Sequence, residues 1–109
     1  MSKANTIRTK GPLTKQGILS LLRTNEDILK KCKVKRIGLF GSYVRGQQRR
    51  GSDVDFLVEF TEPTYDNFYT LSLSLERLFR KKVDLITPDG LSRYIKPFVE
   101  KEARWHEVR

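Results

Sequence analysis

The chain is predicted to be a single α/β domain in which a small mixed β-sheet packs against helices. Three observations carry that prediction. Its 109 residues leave room for one domain. Segments with apolar residues every three or four positions alternate with short segments of period two. Hydrophobic residues make up 38% of the chain, enough for a modest core, while runs such as Ile37-Gly38-Leu39-Phe40 and Phe56-Leu57-Val58 are too short to span a bilayer.

Residues 1–12, closing on Gly11-Pro12, are expected to form a disordered leader before a domain covering residues 13–109. Met1–Lys10 is polar and basic and lacks the apolar stretch of a secretory signal. Thr14 is a helix N-cap, after which Ile18, Leu21, Leu22, Asn25, Ile28, Leu29 and Cys32 recur on one face of a helix of about four to five turns. Cys32 lies on that stripe and reads as a core residue; as the only cysteine it has no disulfide partner, and no Cys/His cluster suits zinc. Val34–Phe40 reads as a strand stopped by Gly41-Ser42. A short helix follows, capped by Ser42 and ended by Gly46, then a polar, Arg-rich loop over residues 47–52.

Asp53–Phe60 alternates as a second strand and stops before Pro63. Asp66 is expected to cap a long helix whose stripe is Phe68, Leu71, Leu75, Leu78 and Phe79. Val83–Thr87 is a third strand, ended by Pro88-Asp89-Gly90. A turn over Leu91–Lys96 precedes a helix from about Pro97 to Arg104, with the proline in its first turn. Trp105–Arg109 is left without assignment.

Charge is uneven. Lys and Arg number 22 against 13 Asp and Glu, for a net charge of +9. Residues 1–36 hold ten of the basic side chains and two acidic ones, whereas residues 37–62 are net −1. A basic flank beside an acidic centre suggests a polyanionic ligand reaching a site that holds cations of its own. Taken singly, the lysines read as a solvated helix face.

The acidic centre carries the chemistry. Asp53 and Asp55 are two apart on a strand and point to one face, with Val54 turned to the core. Two unpaired carboxylates side by side repel; a divalent cation removes that penalty, and oxygen-only ligands select Mg²⁺ or Mn²⁺ over zinc. Asp84, inside the apolar Val83–Ile86, is the natural third ligand if its strand lies beside the second; an edge-strand charge is the competing reading. Gly41-Ser42 adds a close backbone approach, a hydroxyl and a helix start, which together suit a phosphate. His106 beside Trp105 reads as an exposed or packing residue. Tyr94 reads as core, Tyr65 as the aromatic best exposed to stack on a base, and Ser52 as tightening the loop before the strand.

Gly41-Ser42, ten residues, then Asp53-Val54-Asp55 resembles the signature of the minimal nucleotidyltransferases of the DNA polymerase beta superfamily. Gly41-Ser42-Tyr43-Val44-Arg45-Gly46 is similar to the family's Gly-Ser-x-Ala-Arg-Gly, and Ser52–Val58 to its Ser-Asp-x-Asp-Leu-x-Val. Val83-Asp84-Leu85-Ile86 resembles its third-carboxylate strand, and Ile95–Ala103 its closing helix. Val44 stands where alanine is common, and Arg49 and Arg50 crowd the loop.

The resemblance implies a single nucleotidyltransferase domain. Asp53, Asp55 and Asp84 would be catalytic and hold two Mg²⁺ ions, or Mn²⁺. Gly41 and Ser42 would hold the β- and γ-phosphates of ATP as co-substrate, and Arg45 would reach the triphosphate; for Arg45 and the weaker Arg49 a surface role competes. The chain's length leaves no residues for an acceptor-binding domain, so the acceptor is expected on a docking partner or a second chain. The implied function is that of a cytoplasmic antitoxin that transfers AMP to a tyrosine of a cognate HEPN-type ribonuclease toxin. Two alternatives stand beside it: an antitoxin that neutralises by occupancy alone, and a basic nucleic-acid-binding module. The leading reading needs no membrane and no direct nucleic-acid contact.

Overall fold

The Thr14 hydroxyl accepts a hydrogen bond from the Gly17 N–H at 3.1 Å and so starts the first helix. The computed structural model describes residues 13–109; the leader expected over residues 1–12 lies outside the described residues. The apolar stripe after Thr14 runs over two helices instead of one, α1 (Lys15–Thr24) and α2 (Glu26–Lys31). Asn25 makes the break. Its backbone leaves helical space at φ −120° and ψ 36°, and its N–H and side-chain Nδ2 both donate to the Leu21 carbonyl, at 3.0 and 2.9 Å. A short amide side chain competes with the helix ladder for the same acceptor. The stripe still faces inward, with Ile18, Leu22, Asn25, Leu29 and Cys32 all buried. Burial pushes the Cys32 thiol above its ordinary pKa.

Four strands follow: β1 (Val34–Phe40), β2 (Val54–Phe60), β3 (Val83–Ile86) and β4 (Arg104–Glu107). They form one mixed sheet in the order β3-β2-β1-β4. β1 is antiparallel to β2 and β4, and β2 is parallel to β3, as the intervening helix α4 (Tyr65–Phe79) requires. The short α3 (Ser42–Arg45) links β1 to the loop before β2, and α5 (Lys96–Glu102) precedes β4.

Three expectations are corrected here. Thr64, not Asp66, caps α4, its hydroxyl accepting from the Asn67 N–H at 3.1 Å; Asp66 lies in the first turn, where the helix dipole favours a carboxylate. α5 stops at Glu102, because Ala103 turns extended (φ −61°, ψ 141°) to enter β4. Tyr94 is 73% exposed instead of packed in the core, since it lies in the turn before α5, which presents it to solvent.

Alternation along the strands sorts the two faces. Ile37 and Leu39 of β1 and Val54, Phe56 and Val58 of β2 pack against Ile18, Leu22 and Leu29 and against Leu71, Leu75, Leu78 and Phe79 of α4. The Phe56 and Phe79 rings lie 5.9 Å apart, while Phe68 is only half-buried, against Phe60 at 6.3 Å. Burying each such side chain contributes about 1.5–3 kcal/mol.

The opposite face pairs Gly38 with Leu57 and with Trp105. The Arg36 guanidinium lies 3.9 Å from the Trp105 ring centroid and 2.8 Å from Glu59, and that hydrogen bond holds the Glu59 carboxyl below its ordinary pKa. A Cβ on Gly38 would meet the Trp105 ring at 2.9 Å and Ala103 at 3.0 Å. Gly38→Ala is therefore expected to destabilise the domain by about 1–3 kcal/mol by forcing Trp105 off the sheet, read as a fall in urea midpoint with unchanged slope.

Candidate active site

The parallel register sets Asp55 of β2 directly beside Asp84 of β3. Two hydrogen bonds hold that register at the start of β3: the Val54 N–H donates to the Lys82 carbonyl at 3.0 Å, and the Val83 N–H to the side-chain Oε2 of Glu76 of α4 at 3.0 Å. Neighbours in register share a face, so both carboxylates stand on the sheet face opposite the helical core. Val54, between Asp53 and Asp55, is fully buried in that core.

Asp55 records how the site is built. Its carboxyl is pushed up to about 6, first by burial, then by the negative charges of Asp84 and Asp53 and a hydrogen bond with Asp84; Arg45 offsets part of this. The structure thus brings Asp55 and Asp84 together and sets Asp53 within electrostatic reach. Among the described residues no group of three or more His, Cys, Asp or Glu is arranged to hold a metal ion. The fold presents the Asp55–Asp84 pair with the charge of Asp53 nearby. The donors still fit a hard divalent cation. They are all oxygen, they repel one another, and among the described residues none of the three has a Lys or Arg partner within ion-pair distance.

Gly41 closes the site on the β1 side. Phe40 pairs with Asp55 across the sheet, and Gly41 takes φ +83° and ψ −153°, a conformation side chains rarely adopt. A Cβ there would overlap Asp55 Oδ2, so only glycine lets the turn pass the carboxylate. Gly41, not Ser42, is the N-cap of α3. The Val44 and Arg45 N–H groups reach back to its carbonyl at 3.1 and 3.2 Å, and Ser42 becomes the first helical residue, with no side-chain cap hydrogen bond at this start. The buried Tyr43 anchors the turn, and Gly46, at φ +71°, ends it.

Arg45 is held on two sides. Its Nη1 lies 2.8 Å from Glu102 Oε2, and its Nε donates to Gln47 Oε1 at 3.1 Å. Glu102 Oε1 also accepts from the Gly41 N–H at 3.4 Å. Glu102 is the residue that sequence reasoning misses. Its one local signal is an acidic side chain in a last helical turn, where the dipole disfavours it; its partners lie about sixty residues away.

Other residues fall outside this cluster. Arg49 is exposed in the loop, where its N–H donates to Ser52 Oγ at 2.7 Å, so Ser52 does tighten that turn. His106 sets Nε2 against Glu26 Oε2 at 2.9 Å; its register partner is Ile37, which places it on the helical face. Tyr65 is exposed and stacks on Tyr69 at 6.0 Å.

The Asp55 shift makes stability depend on pH. The folded chain holds this proton more tightly than the unfolded one, whose value is 3.8. The stabilisation is therefore full below about pH 4 and is lost as pH rises through about 6. With its partial exposure discounted, the effect is on the order of 1–2 kcal/mol. Asp55→Asn should flatten that slope and raise the midpoint of the metal-free protein by a few degrees at pH 7.5, measured by thermal melts from pH 4 to 8. Gly41→Ala should do the reverse, costing about 1–3 kcal/mol from backbone strain.

A family model described as the nucleotidyltransferase domain matches residues 21–106. The protein adenylyltransferase MntA of Thermococcus cleftensis is 39% identical over 92 residues, 83% of this chain and 93% of that protein. A solved candidate minimal nucleotidyltransferase is 33% identical, with a TM-score of 0.67 over 79% of this chain and 93% of its own. A toxin–antitoxin crystal structure with AMP-PNP is 27% identical, with a TM-score of 0.58 over 74% of this chain and 71% of that one. No helix among the described residues is long and apolar enough to cross a membrane. With most of its length matched, the chain belongs to the nucleotidyltransferase domain family, and a nucleotide substrate and a divalent metal ion come with that membership.

Proposed function

We propose that the chain is an antitoxin that transfers AMP from ATP to a tyrosine hydroxyl of a cognate HEPN-type ribonuclease toxin, in the cytoplasm. The observation that carries this is the Asp55–Asp84 pair abutting the Gly41 turn. It is supported by the likeness to a protein adenylyltransferase and to a toxin–antitoxin structure holding AMP-PNP. The HEPN class of the acceptor and the tyrosine rest on the motif resemblance of Gly41-Ser42 and Asp53-Val54-Asp55.

In this reading Asp53, Asp55 and Asp84 hold two divalent ions, Mg²⁺ or Mn²⁺. When bound, such ions neutralise charge developing on the attacking and leaving oxygens. The chain's own residues do the rest. Gly41 and Ser42 take the β- and γ-phosphates at the start of α3, and Arg45 supplies a guanidinium toward the triphosphate. The tyrosine oxygen attacks the α-phosphorus, the bond to the bridging oxygen breaks, and pyrophosphate leaves as the phenolic proton is lost to the carboxylate side of the site. Neutralisation by occupancy alone gives no reason to keep Asp55 and Asp84 in mutual repulsion.

The test incubates the purified chain with ATP labelled at the α-phosphate, Mg²⁺ and the purified product of the adjacent reading frame. Label should enter that protein at tyrosine. Asp53→Ala, Asp55→Ala and Asp84→Ala should each cut incorporation by about a hundredfold or more, while chelator should abolish it. Undiminished toxin neutralisation by all three variants would instead establish the occupancy mechanism.

A further inference from the structure

Among the described residues, Glu102 is the acidic side chain that hydrogen-bonds both Gly41 and Arg45. Its two carboxylate oxygens go to different donors, Oε1 to the Gly41 N–H at 3.4 Å and Oε2 to Arg45 Nη1 at 2.8 Å. Glu102 is the last residue of α5, separated only by Ala103 from β4, whose edge pairing with β1 anchors the helix end. The carboxylate is therefore delivered by the sheet itself, just ahead of β4, which lies beside the strand that leads into Gly41.

Without Glu102, Arg45 would be a long side chain on the last residue of a four-residue helix, 49% exposed and free to sample many rotamers. With Glu102 at Nη1 and Gln47 at Nε, two sides of the guanidinium fork are fixed. The remaining N–H groups of a five-donor fork stay available. The held guanidinium also stands within electrostatic reach of Asp55, so its charge is kept beside the site and not out in solvent. An isolated exposed pair of this kind adds little to stability; its effect lies in lowering the entropic cost of binding a ligand.

We infer that Glu102 is a positioning residue for the nucleotide: it holds Arg45 and the Gly41 turn in the geometry that receives the triphosphate. This rests on the assignment of Gly41, Ser42 and Arg45 to the phosphates. Its consequences differ from those of a carboxylate that competes with phosphate for the same donors. A competitor would weaken binding, and its removal would tighten it.

The test measures Mg·ATP affinity by calorimetry, with a thermal melt alongside, for the full chain and for Glu102→Gln, Glu102→Ala, Arg45→Ala and the double variant. Glu102→Ala should weaken Mg·ATP about tenfold, as expected for one or two immobilised side chains released, with a melting shift no larger than an exposed pair produces. Glu102→Gln, which keeps an acceptor for the Gly41 N–H, should fall between. Glu102→Ala should add nothing once Arg45 is gone, because its effect passes through that residue. Tighter binding by Glu102→Gln, or full additivity with Arg45→Ala, overturns the inference. Failure of the unaltered chain to bind Mg·ATP overturns the nucleotide assignment itself and this inference with it, and is read separately in the first titration.

Discussion

The site depends on a repulsion that the fold maintains. β2 and β3 run parallel with Asp55 opposite Asp84, and the contacts that hold them there are ordinary ones: backbone pairing and the Val83 N–H on Glu76. Hydrophobic packing on the other face, centred on Val54, Phe56 and Val58, supplies the free energy that keeps the carboxylates together against burial and like charge. Taking two such charges out of water and holding them side by side costs of order a few kcal/mol. A domain of this size has little stability to spare. A structural role gives no return on that cost, whereas a divalent cation turns it into binding energy.

The rest of this face follows from the same geometry. Because Asp55 lies opposite Phe40 at the end of β1, the chain leaving β1 must pass the carboxylate, and only a glycine at positive φ can do so. That turn starts α3 at Gly41 and presents Ser42 at its first helical position. α3 in turn places Arg45 where Glu102 meets it from β4's side of the sheet. The carboxylates, the Gly41 turn and the Arg45 guanidinium are thus linked through adjacent strands.

Much of this was legible in the residues because it is local. The bounds of β1, β2 and β3 follow closely from alternation and from Gly41, Pro63 and Pro88, although β2 starts at Val54 and leaves Asp53 just ahead of it. The opposite faces of Val54 and Asp55 follow from the two-residue period of a strand. The break at Asn25 was hidden because the amide sits on the apolar stripe and stays buried while ending the helix through Leu21. β4 was hidden because Arg-Trp-His-Glu has no strand character until Arg36–Leu39 pair with it. Glu102 was hidden for the same reason: its meaning lies in Gly41 and Arg45, brought to it only by the assembled sheet. Asp84 is the instructive middle case, a carboxylate whose oddity was visible in an apolar strand but whose partner only the parallel register supplies.

The most direct measurement is Mn²⁺ binding to the folded chain in the presence of a non-hydrolysable ATP analogue, followed by electron paramagnetic resonance near neutral pH. The account predicts bound Mn²⁺ for the unaltered protein, displaceable by Mg²⁺ and lost in both Asp55→Asn and Asp84→Asn although each variant remains folded. Mn²⁺ bound equally well by both variants, or by none of the three proteins, would contradict it.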